Sequence, residues 1–247
     1  MRKPGACVVF LGSLAASLSM SIHAGSFGVA PTRLDFDKGA KSGVIEVSND
    51  DERKLSFQLK LFEWKQGPDG KDQYVESQDL IYFPQLFSVN AHDKRIIRVG
   101  LKGVAALPAE RAYRLFIEEM PDPATGAGGA EVKVVLRFGV PLFVAPESPR
   151  KAFTFDNVEV AKGKLLMTIR NGGNQSAKFE FLRVRRGDAV VAEAAGWYIL
   201  AGATRTFELP MDPAKCVSSG ALEAMATAEG VVVKQAFTAS PLLCERP

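Results

Sequence analysis

The sequence is poor in the residues from which most catalytic and metal sites are built. It contains 2 histidines and 3 cysteines in 247 residues, and its formal net charge is only +3. His92 lies in a polar turn, where a histidine is far more often a solvated surface group than a catalytic base. The sequence has no phosphate-cradling glycine loop and no cysteine-rich or histidine–carboxylate metal motif. We therefore expect neither catalysis nor a cofactor or metal site.

Long apolar runs are also scarce, and the one that stands out is N-terminal. Arg2 and Lys3 precede an apolar stretch over residues 7–20, and the small residue Ala24 follows. This order is typical of a secretory signal peptide, and the stretch is too short to span a bilayer. We expect residues 1–24 to be cleaved near Ala24, which leaves a near-neutral exported chain without membrane insertion. Near-neutrality argues against a nucleic-acid partner, because such a partner requires a basic face.

Two cysteines remain after this segment, Cys216 and Cys244. An even pair in an exported protein is most simply a disulfide, with two unpaired buried thiols as the alternative. If Glu229 and Gly230 form the tip of a hairpin, paired residues have numbers that add to about 459, and the cysteines face each other at its open end. Residues 221–228 have a helix-favouring composition, but this hairpin favours a strand there.

Short runs of alternating apolar and polar residues dominate the rest of the chain. In residues 55–61, for example, leucine and phenylalanine alternate with serine, glutamine and lysine, which gives one apolar and one polar face. Turn-forming residues separate these runs. Repeated short strands with turns between them predict an all-β sandwich fold.

The length and one proline-rich segment predict two domains. About 220 residues remain after the N-terminal segment, which is enough for two hydrophobic cores. Pro146 and Pro149 mark a linker, because proline fixes its backbone and lacks an amide donor. We expect a first domain over residues 25–145 and a second, which contains the disulfide, over residues 146–247.

Residues 131–140 are the most informative segment, because a large apolar side chain occupies every even position. The odd positions include Glu131, Lys133 and Arg137. The apolar row consists of Val132, Val134, Leu136, Phe138 and Val140. An ordinary sandwich strand with one buried face would show the same pattern, so the surrounding sequence has to decide between the two interpretations.

The segments on either side of this row occur in an informative order. They are VAPTRL at 29–34, VIEVSN at 44–49, Phe83-Pro84 with Phe87, IRV at 97–99, Leu107-Pro108, YRLF at 113–116, EMP at 119–121 and PLFVAP at 141–146. In this order and at this spacing they resemble the periplasmic pilus chaperone family of chaperone–usher systems. The resemblance covers most of residues 25–146 and is weaker afterwards.

The resemblance implies a fold and a mode of action. The fold would be two immunoglobulin-like sandwiches that meet in an L with a cleft between them. In the periplasm, a long strand of the first would fill the groove of a pilus subunit that lacks a strand, and the subunit would pass to an outer-membrane usher. The donor side chains would be Val132, Val134 and Leu136, with Phe138 and Val140 extending the row.

The family also holds the client's terminal carboxylate with a pair of basic residues in the cleft. Arg33 matches the first of them, whereas Pro141 stands where many members have a lysine. Arg114, Lys133 and Arg137 are candidates for its place, and a solvent-exposed strand cation is the alternative for each. This departure suggests a divergent branch of the family.

A secreted β-sandwich adhesin or pilus component is the alternative from a different class. Subunits of that kind lack a strand and carry an N-terminal extension for donation. Here the residues from Gly25 onward already resemble a first strand, and the pattern predicts two complete domains. These features favour the chaperone.

Overall fold

The computed structural model describes residues 26–37, 39–103, 107–121, 134–161, 164–211 and 220–239. Within these residues the chain forms 18 β-strands and no helix, and hence none long and apolar enough to cross a membrane. The strands assemble into four sheets, two in each half of the chain.

The first half of the chain forms one sandwich. Its strands are β1 (Phe27–Ala30), β2 (Leu34–Phe36), β3 (Ser42–Asn49), β4 (Leu55–Gln66), β5 (Asp72–Glu76), β6 (Leu80–Phe83), β7 (Leu86–Val89), β8 (Lys94–Leu101), β9 (Arg111–Met120) and β10 (Arg137–Val144). One sheet has the order β1-β3-β8-β6, and the other has the order β2-β10-β9-β4-β5, with β7 also paired to β4. Alternate residues such as Phe57, Ile97 and Leu115 fill the core between the sheets, as the period-2 pattern requires.

The second half forms a second sandwich with its own core. Its strands are β11 (Phe153–Ala161), β12 (Lys164–Asn171), β13 (Ala177–Arg186), β14 (Ala189–Ala195), β15 (Tyr198–Ile199), β16 (Thr204–Pro210), β17 (Gly220–Ala228) and β18 (Val231–Ala239). The sheets have the orders β11-β12-β16 and β14-β13-β17-β18, with β15 paired to β13. Leu165, Met167 and Phe179 are fully buried between them.

The predicted all-β class with two immunoglobulin-like sandwiches is confirmed. The two large cores share no residue, and they divide between Val144 and Phe153. The predicted linker at residues 145–150 falls in this interval. A third, smaller cluster joins the halves, because Trp64 and Phe143 of the first sandwich pack against Tyr198 of the second.

The hairpin at Glu229 and Gly230 also agrees with the prediction. Strands β17 and β18 pair from Ala228 with Val231 to Gly220 with Ala239, so each pair of numbers adds to the predicted total. Gly230 has a φ of 70°, which suits glycine at the tip. Residues 221–228 are a strand because every second residue is buried, and this packing outweighs their helix propensity. Cys216 and Cys244 lie outside the described residues, so their disulfide stays a prediction.

The predicted strand over residues 132–140 needs a correction. Val132 lies outside the described residues, and the strand begins only at Arg137, after which it continues through Pro141 to Val144. The neighbouring strand β9 ends at Met120, which the register places opposite Val135. Among the described residues, those before Val135 therefore have no strand with which to pair. Pro141 is accommodated because the even residues of β10 donate to β9, so an amide at position 141 is not needed for that pairing.

Candidate functional site

Strand β10 has one open edge. Strand β9 covers one side of it along its whole length, from Arg137 to Val144, but on the other side β2 pairs only with Leu142 to Val144. Residues 137–141 therefore present an unpaired edge. Unpaired strand edges bind other extended chains readily, because their backbone donors and acceptors lack partners.

The hydrogen-bond pattern shows which backbone groups this edge offers. The amide of Glu119 on β9 donates to the carbonyl of Leu136 at 2.9 Å, so the even residues of this segment bond to β9. The amide of Ala145 donates to Phe36 of β2, which places the odd residues on the other side. The open edge thus offers both backbone groups of Arg137, the amide of Gly139 and the carbonyl of Pro141, while the carbonyl of Gly139 already accepts a hydrogen bond from Arg114.

Three members of the predicted donor row are described outside the core: Val134 and Leu136 precede the open edge, and Phe138 lies near its start. Val134 is 47% exposed and Phe138 is 36% exposed, while Leu136 is partly buried. Val140 differs, because it is fully buried in the core of the first sandwich together with Leu142. The prediction that Val140 extends the donor row is therefore corrected. From Val140 onward, the even-numbered side chains of β10 are buried in the chaperone's own core.

Arg114 is the most unusual of the three predicted anchor residues. It is only 7% exposed, and its guanidinium lies 4.1 Å from the centre of the Trp64 ring. Its Nη1 donates to the carbonyl of Gly139 at 3.1 Å, whereas its Nε and Nη2 are buried and have no hydrogen-bond partner among the described residues. The indole Nε1 of Trp64 is likewise buried and unpartnered. Unpaired buried donors are rare because they are costly, so Arg114 and Trp64 each carry donors that an added acceptor would satisfy.

Gly139 makes this arrangement possible. A Cβ at this position would lie 2.9 Å from the Phe116 ring and 3.2 Å from Cδ of Arg114. Because glycine has no side chain, Arg114 can cross β10 at this point and reach its backbone. The arginine thereby lies beside the open edge.

The other two candidates have partners. The Arg33 guanidinium packs over Phe143 at 4.5 Å and forms an ion pair with Asp35 at 2.6 Å. Arg137 forms an ion pair with Glu118 at 2.7 Å and packs over the Phe116 ring. Lys133, the remaining alternative, lies outside the described residues. Among these three predicted anchors, Arg114 is thus the one whose unpartnered donors are buried.

Comparison with known proteins identifies the family. The family model described as "Pili and flagellar-assembly chaperone, PapD N-terminal domain" matches residues 26–150, about half of the sequence. The chain belongs to this chaperone family. Among curated proteins, none matches it by sequence. The predicted resemblance to pilus chaperones is confirmed.

The chaperone also resembles several solved structures at low sequence identity. The CsuC–CsuE chaperone–tip subunit complex of an archaic chaperone–usher pilus from Acinetobacter baumannii has a TM-score of 0.61 at 18% identity, with 87% of this chain and 98% of that chain covered. The Salmonella enterica SafB chaperone with the SafA pilin gives 0.60 at 15%, covering 88% and 99%. The E. coli chaperone DraB gives 0.55 at 16%, covering 89% and 98%. At these identities the likeness shows a common two-domain fold.

The second sandwich of the chaperone supplies one wall of the site. Tyr198 packs against Trp64 at 5.1 Å and against Phe143 at 5.6 Å. Burial raises the pKa of Tyr198, and the charges of Arg33 and Arg114 oppose that rise. The structure therefore brings these two predicted anchor residues to the same tyrosine.

A partly buried carboxyl group lies at the same junction. Glu110 accepts a hydrogen bond from the Ser176 amide of the second sandwich at 3.0 Å, and its own amide donates to Asn174 at 2.8 Å. Burial raises the pKa of Glu110, while the bonds from Ser176 and the charge of Arg33 oppose the rise. Glu110 thus fastens the two sandwiches beside the arginines.

Sequence analysis did not single out Trp64, Trp197, Tyr198 or Glu110. The aromatic residues come from strands of different sandwiches and meet only in the folded chain. A weak signal existed at Arg114, which is a charged residue within the otherwise apolar or aromatic run of residues 112–117. A charge in such a run is seldom buried unless it has a partner.

Proposed function

We propose that the chaperone binds a pilus subunit that lacks a strand and completes the subunit's sandwich with its own segment around residues 134–141. The open edge of β10 carries this proposal. Both backbone groups of Arg137 and the amide of Gly139 would pair with an edge strand of the subunit, a mode of recognition that needs no particular side chains. The family assignment and the likeness to chaperones solved with a pilin or a tip subunit support it.

The exposed apolar row would fill the groove that the missing strand leaves. Val134, Leu136 and Phe138 are the described members of the row, and Val132 extends it in sequence. A large apolar side chain stabilises by about 1.5 to 3 kcal/mol when it is fully buried from an exposed state. Since these side chains are already part-covered, the gain for each is at the lower end of that range. The side chains set register, because a shift by one residue would turn the row to the other face.

The terminal carboxylate of the subunit would bind Arg114. Its unpartnered Nε and Nη2 lie on one side of a planar guanidinium, which suits a carboxylate bound through both oxygens. Trp64, whose ring packs against the guanidinium, carries a further buried and unpartnered donor in its Nε1. Arg33 would contribute mainly positive charge, because its Nε and Nη2 already donate to Asp35. Arg114 would thus take the role of the lysine that many family members have where this sequence has Pro141.

The wider setting follows from the sequence. We propose that residues 1–24 direct export and are cleaved near Ala24, that the chaperone works in the periplasm of a diderm bacterium, and that Cys216 and Cys244 form a disulfide there. It would pass its subunit to an outer-membrane usher. The proposed activity is binding without catalysis, so neither a cofactor nor a nucleotide takes part. The partly completed subunit gains stability when a neighbouring subunit later replaces the chaperone strand.

Co-expression with the pilus subunits of the source bacterium, each in turn, tests this function. We expect one or more subunits to accumulate and to purify with the chaperone as an equimolar complex, which light scattering and subunit quantification would establish. An adhesin or pilus component would instead remain monomeric or polymerise by itself. That alternative is disfavoured, because the first strand β1 is already paired within the sandwich and the chain belongs to the chaperone family.

A further inference from the structure

The turn between β4 and β5 makes an unexpected contact with the second sandwich. Gly70 at its tip has a φ of 72°, and a Cβ there would lie 2.9 Å from both the Cα of Arg205 and the carbonyl oxygen of Thr204. Arg205 donates to the Gly70 carbonyl at 3.0 Å. The turn of the first sandwich is thus seated directly on the backbone where β16 begins.

Asp72, at the start of β5, connects this contact to the aromatic wall. Its Oδ2 accepts a hydrogen bond from Nε1 of Trp197 at 2.7 Å, and its Oδ1 accepts one from Nη1 of Arg205 at 3.2 Å. Both charged side chains are mostly buried, at 17% and 23% exposure. Charge-assisted bonds in such partly dry surroundings are stronger and more directional than surface ion pairs.

Gln66 holds the same region from the other side of the turn. Its Nε2 donates to the Tyr198 carbonyl at 2.8 Å and to Asp72 at 3.0 Å, and its Oε1 accepts from the Leu200 amide at 3.0 Å. The residues that pack around Trp64 in the second sandwich are therefore fixed by side chains of the first. The orientation between the two sandwiches at this point depends on polar contacts of defined geometry.

The indole that Asp72 binds faces the proposed anchor. The Arg114 guanidinium lies 5.6 Å from the centre of the Trp197 ring, in addition to its closer contact with Trp64. Trp197 also packs edge-on against Trp64 at 6.5 Å. Without its bond to Asp72, the indole would lose the one hydrogen bond that fixes its rotation, since the ring contacts alone permit other orientations.

We propose that Asp72 is a positioning residue for client binding: it holds Trp197 beside Arg114, so that the guanidinium keeps the orientation in which it binds the client's terminal carboxylate. This inference rests on the proposed function. The indole rings of Trp64 and Trp197 beside Arg114 lower the local dielectric constant, which strengthens a guanidinium–carboxylate interaction. Asp72 itself would not touch the client.

The test compares two forms of one probe. The probe is a synthetic peptide with the C-terminal residues of the subunit that co-purifies with the wild-type chaperone, prepared as the free acid and as the C-terminal amide. The wild type is expected to bind the acid at least about tenfold more tightly than the amide, the effect of a charge-assisted pair. Asp72→Ala, which removes the acceptor of the Trp197 bond, and Trp197→Phe should each remove most of this preference, and the double variant should lose no more than either single variant, because the two act as one unit.

A matched control separates positioning from loss of stability. Asp69→Ala removes a carboxylate from the same turn, but Asp69 is exposed and its charged partner is Lys71, so the acid preference should be unchanged. A purely structural role for Asp72 would lower the melting temperature and leave the ratio of acid to amide affinity intact, which overturns the inference. If the wild type itself binds acid and amide equally, the Arg114 anchor and this inference both fail. If the preference persists in both variants, only this inference fails.

Discussion

The double variant Val134→Asn, Leu136→Asn is expected to keep its fold and to lose the accumulation of pilus subunits. Val134 is 47% exposed and neither residue belongs to the core of the first sandwich, so the free chaperone loses little. In a client groove, each asparagine would forfeit at least about 1.5 kcal/mol of apolar burial. Each would also place an unpaired amide in an apolar site, which costs at least about 1 kcal/mol. The sum is about 5 kcal/mol, or more than three orders of magnitude in affinity.

Subunit recovered per mole of purified chaperone measures this effect, with circular dichroism and thermal unfolding as checks on the fold. Val135→Asn is a matched control, because Val135 is 48% exposed but has the opposite parity. It should support a nearly normal yield. A folded double variant with a normal yield contradicts donation by the even row, and an equally severe loss in the control contradicts the assigned parity.

Arg114→Met is expected to weaken subunit binding strongly while leaving the chaperone about as stable as before. The arginine forms one hydrogen bond and buries two unpartnered donors. An apolar side chain of similar length loses the stabilisation from that bond, but it also removes the desolvation cost of the two donors. Loss of a buried charge-paired donor from a complex costs about 2 to 5 kcal/mol. Titration calorimetry with the purified subunit would therefore show a dissociation constant raised by about 30-fold or more.

Arg137→Met provides the comparison for Arg114. It is the same substitution on the neighbouring strand, at a side chain that is half exposed and already paired with Glu118. Exposed pairs contribute at most about 1 kcal/mol, so binding should change by less than about tenfold. Equal losses in the two variants, or unchanged binding by Arg114→Met, would remove Arg114 from the site.

Much of the fold could be predicted because period-2 patterns state which face of a strand is buried. The alternation in residues 55–61 predicted the buried face of β4, and the turn at Gly230 predicted the register of β17 with β18. In residues 221–228 the composition pointed to a helix, and the expected hairpin with its turn at Glu229 and Gly230 corrected it. Turn position and alternation are local properties, so the sequence alone conveys them.

The limits of the donor row could not be predicted in the same way. Val140 and Phe138 have the same parity and similar character, yet one is a core residue and the other is exposed. The difference arises because β2 joins β10 only at Leu142, while β9 ends at Met120. Where an edge begins depends on the lengths of neighbouring strands, and the row itself carries no sign of it.

The anchor was predictable only in part. The absence of the usual lysine at Pro141 directed attention to other cations, and Arg114 was among them. Its burial depends on Trp64 from β4, on Gly139 from β10 and on Trp197 from the other sandwich. None of these contacts is local in sequence, so the preference for Arg114 over Arg137 required the three-dimensional structure.

Residue-resolved backbone hydrogen exchange, measured by NMR on the free chaperone and on its complex with a pilus subunit, tests strand donation most directly. In the free chaperone the amides of Arg137 and Gly139 face the open edge, whereas those of Phe138 and Val140 already bond to β9. Donation predicts that exchange slows strongly at Arg137 and Gly139 on binding and changes little at Phe138 and Val140. A stable complex in which Arg137 and Gly139 exchange as fast as in the free chaperone would contradict it.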